Sequence, residues 1–200
     1  MKLPAIGPDT ALIAVDVQRD FCPGGALAVP EGDKVVAPLN RYVEMVQQRG
    51  GKIVASRDRH PPDHVSFHSR GGPWPPHCIR GTEGAAFHSD LRLPEDAQIV
   101  SKAQEPDEEA YSAFDGTGLA SDLKERGITS LLIGGLATDY CVKSTVLDAL
   151  AEGFQVWLLT DAIRAVEVNA GDGERAMEEM LSVGARPLTL ADLRATQLGH

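Results

Sequence analysis

Three ionisable residues of different type each stand just beyond an apolar run of about strand length. Asp16 follows residues 11–15, Lys102 follows 98–100, and Cys141 lies in G-G-L-A-T-D-Y-C, after 130–133. A thiol, an amine and a carboxylate are the parts of nucleophilic catalysis: the thiolate attacks, the cation favours it, and the carboxylate takes and returns a proton. Cys141 also falls at the expected start of a helix, where unpaired amides and the positive end of the helix dipole favour a thiolate. Taken singly, each residue has a plainer reading: a small buried hydrophobe, a solvated strand-end lysine, a turn-forming aspartate. The set is what points to chemistry. Between strand and cysteine, the backbone amides of Ala137 and Cys141 are placed to form an oxyanion hole, given an unusual local backbone.

A second constellation follows the run 52–55. The segment D-R-H-P-P-D-H supplies Asp58, His60 and His64, and His77 stands in W-P-P-H-C. One carboxylate and three imidazoles suit Zn²⁺, Fe²⁺ or Mn²⁺, and two imidazoles with one carboxylate would leave coordination positions open. The spacing alone leaves a surface His cluster open as the other reading, with Asp58 and Asp63 capping turns in a Pro-rich loop. Phe21 and Trp74 are candidates for an aromatic wall around a flat ligand. Cys22 and Cys78 read as structural, and His68, His88 and His200 as structural or exposed.

The elements that must position these groups can be read from periodicity. Strands are expected at 11–15, 52–55, 98–100, 130–133 and 154–159, and a weaker one at 185–190. Helices are expected at 35–48, 119–126, 140–151 and 169–181, with Gly50, Gly127 and Gly153 as stops, Thr138 or Asp139 as one cap and Asn169 as another. Near-continuous apolar strands alternating with amphipathic helices are the sequence form of a parallel sheet covered on both faces, so the fold class is α/β. In such a sheet ligands bind beyond the carboxyl ends of the strands, where all the residues above fall. Residues 57–97 break the pattern. They hold six of the 13 Pro and little periodicity, as expected of an ordered functional loop.

Composition narrows the partners. The chain has 200 residues, 19 Lys+Arg against 29 Asp+Glu and a net charge of -10, which fits one domain and disfavours nucleic acid. The longest charge-free stretch near Leu131, residues 128–138, is far short of the ~20 apolar residues of a membrane span. No export signal is evident in residues 1–10, so a cytoplasmic location is expected. Three widely spaced Cys do not make a disulfide framework.

Five motifs, in order and over nearly the whole chain, resemble the nicotinamidase (pyrazinamidase) family of the isochorismatase-like cysteine hydrolases. They are D-V-Q-R-D-F-C-P-G-G-A-L-A-V from Asp16, R-D-R-H-P-P-D-H from Arg57, W-P-P-H-C-I-R-G-T-E-G-A from Trp74, Lys102 with A-Y-S-A-F from Ala110, and G-L-A-T-D-Y-C-V from Gly135. The resemblance implies a single domain over 1–200: a Rossmann-like three-layer sandwich with a six-stranded, mainly parallel sheet. It implies a catalytic triad of Asp16, Lys102 and Cys141, and one divalent metal (zinc, iron or manganese) on Asp58, His60 and His77, with His64 in the fourth-ligand place. Phe21, Trp74, Tyr111 and Leu136 would line the pyridine pocket, and Leu136–Ala137 would carry the family's cis peptide. The implied reaction converts nicotinamide, and also pyrazinamide, to the carboxylate and ammonia through a thioester, in NAD salvage. Two departures stand out: Arg19 where many members have Asn, and the acidic, slightly longer segment 103–109. A metal-independent isochorismatase-like or carbamoyl amidohydrolase would lack the Asp58/His60/His77 group, and a binding module would tolerate loss of Cys141 or Lys102. Monomer or homo-oligomer is left undecided by the sequence.

Overall fold

The structure, a computed structural model, describes residues 3–197; His200 lies outside them. Six strands form one fully parallel sheet: β1 (Thr10–Val15), β2 (Lys52–Asp58), β3 (Gln98–Lys102), β4 (Ser130–Leu136), β5 (Gln155–Arg164) and β6 (Arg186–Leu188). Their order across the sheet is β3-β2-β1-β4-β5-β6. The helices are α1 (Val36–Gln48), α2 (Leu119–Glu125), α3 (Lys143–Ala151), α4 (Asp172–Ser182) and α5 (Leu190–Gln197).

The period of two along each strand divides the core. Leu12 and Ala14 of β1 and Leu132 of β4 pack with Leu39, Tyr42, Val43 and Val46, the apolar stripe of α1, and with Leu193 of α5. Their neighbours Ala11, Ile13, Val15, Leu131 and Ile133 point the other way, to Leu119 and Leu123 of α2, Val146 of α3 and Met180 of α4. Strands buried on both faces explain the continuous apolar runs.

Strand order reverses between β1 and β4, and at such a point the loops leaving the two strands part to opposite faces and open a crevice. The register sets what faces what there: Val15 lies beside Gly135, and Asp58 beside Lys102. Gly135 has φ +129, and a β-carbon on it would lie 2.1 Å from the Val15 carbonyl oxygen, so β4 approaches β1 this closely only with glycine.

Several boundaries differ from the sequence expectation. β5 runs on through Thr160 and Asp161 to Arg164, with its register against β4 shifting between Ile133 and Gly135, where the apolar pattern breaks. The helix expected over 140–151 opens as a π-helical turn, Thr138–Val142, before α3, and neither Thr138 nor Asp139 caps it. Gly171 in the left-handed region, not Asn169, begins α4. Helix α5 occupies residues whose start the expected strand 185–190 covered. Residues 57–97 are held by isolated bridges, His60 to Ile79, Phe67 to Trp74 and Gln18 to Phe87. No helix among the described residues is long and apolar enough to cross a membrane.

Candidate active site

Asp16, Lys102 and Cys141 meet at the crevice between β1 and β4. Lys102, its side chain fully buried, reaches from the end of β3 to place Nζ 2.9 Å from Asp16 Oδ2, 2.5 Å from Asp58 Oδ1 and 3.5 Å from Cys141 Sγ, and donates to the Ala110 carbonyl at 3.2 Å. Asp16 leaves β1 with φ 48 and accepts a hydrogen bond from Ser56 Oγ at 2.6 Å. Its other oxygen, Oδ2, is also buried and has the Lys102 ammonium as its ion-pair partner. Cys141 lies in the π-helical turn after the cis peptide Leu136–Ala137, and the Ala137 carbonyl accepts from the amides of Tyr140 and Val142.

The electrostatics of this cluster are those of charges removed from water. Burial pushes the Asp16 carboxyl up, against the pull of the Lys102 ammonium, so that it sits above the ordinary carboxylate range. Burial pushes Asp58 up too, but the Lys102 ammonium outweighs it and holds the carboxyl below that range. Lys102 stays charged: the two carboxylates more than offset its desolvation. The sequence reading of a thiolate favoured by a helix start and Lys102 needs correction. Burial dominates at Cys141, and with Asp16 beside it the thiol is raised well above its usual range despite Lys102. The resting site is therefore a thiol next to a carboxylate of raised basicity, a pair suited to proton transfer during attack.

One donor atom each from Asp58, His60 and His77 lies within 4.8 Å of the others. His60 Nδ1 lies 3.2 Å from the Ala103 carbonyl and His77 Nδ1 2.8 Å from that of Pro75. A carbonyl only accepts, so both Nδ1 atoms carry the proton and both Nε2 lone pairs face the cluster. His60 Nε2 is 3.6 Å from Asp58 Oδ2, too far for a hydrogen bond. Two ligands each ~2.1 Å from a common ion, at a tetrahedral angle, would be ~3.4 Å apart. Burial also lowers the proton affinity of His77, as a neutral metal ligand requires. The donor set fits a divalent cation. His64 is a correction: its ring lies 4.1 Å from that of His60, but Nδ1 is engaged with Ser66 Oγ at 2.7 Å and Nε2 with the Glu108 carbonyl at 2.9 Å. A ring with both nitrogens taken supports the site wall and presents no free ligand atom.

Above both clusters lies a cleft of about 410 Å³, counting its open mouth, with Cys141, Asp58, His60 and His77 among its lining residues. Phe21, Trp74 and Tyr111 line it as expected, Trp74 Nε1 donating to Tyr111 Oη at 3.1 Å. Leu136 does not: it is fully buried in the core, and only the next residue, Ala137, reaches the cleft. The sequence reading passed over Tyr140, edge-on to Trp74 with centroids 5.0 Å apart, and Ser66 and Glu109, which also line the cleft. It passed over Gln18 as well. Buried Gln18 accepts from the Asp58 amide at 2.8 Å and donates to the carbonyls of Asp58 and Ala85 at 2.8 and 2.9 Å, clamping the strand end that carries Asp58 to the loop. Arg19 points outward, 3.7 Å from Glu83.

Residues 10–192 match the isochorismatase domain. The chain is 42% identical to the nicotinamidase of Escherichia coli over 211 aligned positions, covering 95% of this chain and 99% of that one. The chain belongs to the nicotinamidase/pyrazinamidase family of the isochorismatase-like superfamily. Another family member, the nicotinamidase of Acinetobacter baylyi, is 37% identical, covering 90% of this chain and 92% of the relative. The crystal structure of the Pyrococcus horikoshii pyrazinamidase in complex with zinc superposes with a TM-score of 0.88 at 53% identity, covering 92% of this chain and all of that one. The six-stranded α/β sheet described above is thus the family's fold.

Proposed function

We propose that the protein is a metal-dependent cysteine amidohydrolase that converts nicotinamide to nicotinate and ammonia, and also accepts pyrazinamide. One observation carries the reading: the Cys141/Lys102/Asp16 cluster and the Asp58/His60/His77 donor set share Asp58 at the floor of a single aromatic cleft. The relatives named nicotinamidase and pyrazinamidase supply the substrate class.

In this reading the Asp16 carboxylate takes the proton of Cys141 as Sγ attacks the carboxamide carbon, and Lys102 stabilises the developing negative charge. The amides of Ala137 and Cys141 hold the tetrahedral oxyanion. Asp16 returns its proton to the leaving nitrogen, the C–N bond breaks, ammonia departs, and a thioester remains on Cys141. Asp16 then takes a proton from water as it attacks the thioester and returns it to the departing Sγ, and the acid formed gives up its remaining proton to solvent as nicotinate is released. Phe21, Trp74 and Tyr140 hold the ring, and their burial of it excludes bulk water from the thioester. A divalent ion on Asp58, His60 and His77 would supply Lewis acidity able to take the pyridine nitrogen as a ligand.

The test is ammonia release from nicotinamide by the purified protein as prepared, after chelation, and after adding back single divalent metals. Release lost on chelation and restored by a metal is the expected result. Release untouched by chelation would remove the metal dependence. No release from nicotinamide or pyrazinamide under any metal would overturn the substrate assignment in favour of another small amide or carbamoyl compound.

A further inference from the structure

Glu109 stands at the edge of the cleft, and its charge has no part in the scheme above. Apart from Ser66 and Cys141, the cleft is lined by apolar and aromatic side chains, the imidazoles of His60 and His77 and two carboxylates, Asp58 and Glu109, and by no Lys or Arg. Asp58 is spent on Lys102 and the metal donor set. Glu109 is exposed, and among the described residues no Lys or Arg nitrogen lies within 4 Å of its carboxylate. Its only hydrogen bond there is from the amide of Ala110, 3.2 Å from Oε1.

The position is defined by its surroundings. Val65 donates to the Pro106 carbonyl at 2.8 Å, Arg70 pairs with Asp107 at 2.7 Å, His64 holds the Glu108 carbonyl, and Lys102 holds that of Ala110. The acidic stretch is thereby pinned on both sides of Glu109. The field of Glu109 reaches the cleft wall: Tyr111, pushed up to about 12 first by burial, is raised further by this carboxylate, against the hydrogen bond from Trp74.

We propose that Glu109 is a charge filter at the cleft mouth, which admits neutral aromatic amides, weakens the binding of aromatic carboxylates and so speeds departure of the anionic product. The inference rests on the amidase reading, because that reaction turns a neutral ligand into an anion in the same cleft. A fixed negative charge near the mouth acts on the product and leaves the substrate alone. It also turns away anionic look-alikes before they reach Cys141.

The experiment compares wild type, Glu109→Gln and Glu109→Lys, with Glu125→Gln as a control that makes the same change in net charge on α2, away from the cleft. Binding of nicotinate and of nicotinamide to the Cys141→Ala form of each is followed by Trp74 fluorescence, at low and high salt, alongside product inhibition in the active forms. Nicotinate should bind roughly threefold tighter in Glu109→Gln and tighter again in Glu109→Lys, the scale of a partly exposed charge interaction. Nicotinamide binding should not move, Glu125→Gln should match wild type, and added salt should compress the differences. Unchanged nicotinate affinity in Glu109→Lys, or an equal shift for nicotinamide, would overturn the filter. Absence of ammonia release by wild type would instead count against the amidase reading, with benzoate and benzamide then serving as the charged and neutral pair.

Discussion

Replacing Lys102 by Met removes one cation from beneath two buried carboxylates. Asp16 and Asp58 lie 2.9 and 2.5 Å from Nζ, and the side chains of Lys102 and Asp16 are fully buried. Met fills a similar volume, so packing is little changed and the loss is electrostatic. Breaking a buried pair from one side costs about 3–5 kcal/mol, because the remaining charge is stranded. For a chain of this size that is roughly 6–20 °C in Tm. The pH dependence gives the sharper test. In wild type Asp58 is held below the usual carboxylate range, so its contribution is present above the unfolded pKa of ~3.9 and is lost as pH falls toward the folded value. In Lys102→Met the downward pull of the ammonium is gone, and burial, the largest influence at both carboxylates, outweighs what remains, the Ser56 hydrogen bond at Asp16 and His60 beside Asp58. Their folded pKa values then exceed the unfolded ones, and the penalty is relieved as pH falls through them. The stability gap between the two proteins must therefore narrow from pH 7 to pH 4.5. Urea unfolding at both pH values measures it, in chelator so that no divalent ion takes the place of the ammonium. A gap under 1 kcal/mol at pH 7, or one that does not narrow on acidification, would refute the picture of Lys102 as the neutralising centre.

Three further outcomes follow from the same geometry. Cys141→Ala should abolish ammonia release while bound metal, measured by elemental analysis, stays at the wild-type ratio; retained turnover would mean the nucleophile is another group. Ser56→Ala deletes the 2.6 Å bond that lowers the Asp16 pKa, so the acid limb of the kcat/KM profile, where Asp16 must be ionised, should move to higher pH; a shift to lower pH would contradict the assignment of Asp16 as base. Gln18→Leu should weaken metal binding about 10- to 100-fold by loosening the Asp58 strand end, read by competition with a chromogenic chelator.

Much of this site was legible because in a parallel sheet the ends of apolar runs converge, so Asp16, Asp58, Lys102 and Cys141 could be grouped before any distance was known. Strand pairing added what the runs alone do not carry: Asp58 lies beside Lys102 in register, and one carboxylate serves two clusters. His64 misled because ligand type and loop position are visible in a sequence while ring orientation is not; Ser66 and the Glu108 carbonyl use up both its nitrogens. Leu136 misled by one residue, since alternate strand residues face opposite ways. Ser56 and Gln18 act by hydrogen bonds across 40 residues, and a polar residue inside an apolar run looks like noise until its partner is seen. The raised thiol of Cys141 was missed because a helix start signals a thiolate while depth of burial, which decides the sign here, is a tertiary property.

The double duty of Asp58 makes it a poor place to cut the site in two. A change there withdraws a donor from the proposed metal set and, in the same stroke, leaves Lys102 with Asp16 as its one remaining carboxylate among the described residues, so a variant at this position reports on both clusters at once and separates neither. His77 has no such second allegiance: its remaining nitrogen is tied to the Pro75 carbonyl. The same asymmetry bears on natural variation. A descendant that gives up the metal set can shed His77 and keep both carboxylates on its lysine, whereas one that begins with Asp58 leaves the whole of a buried ammonium charge to Asp16, the group that must also carry the proton.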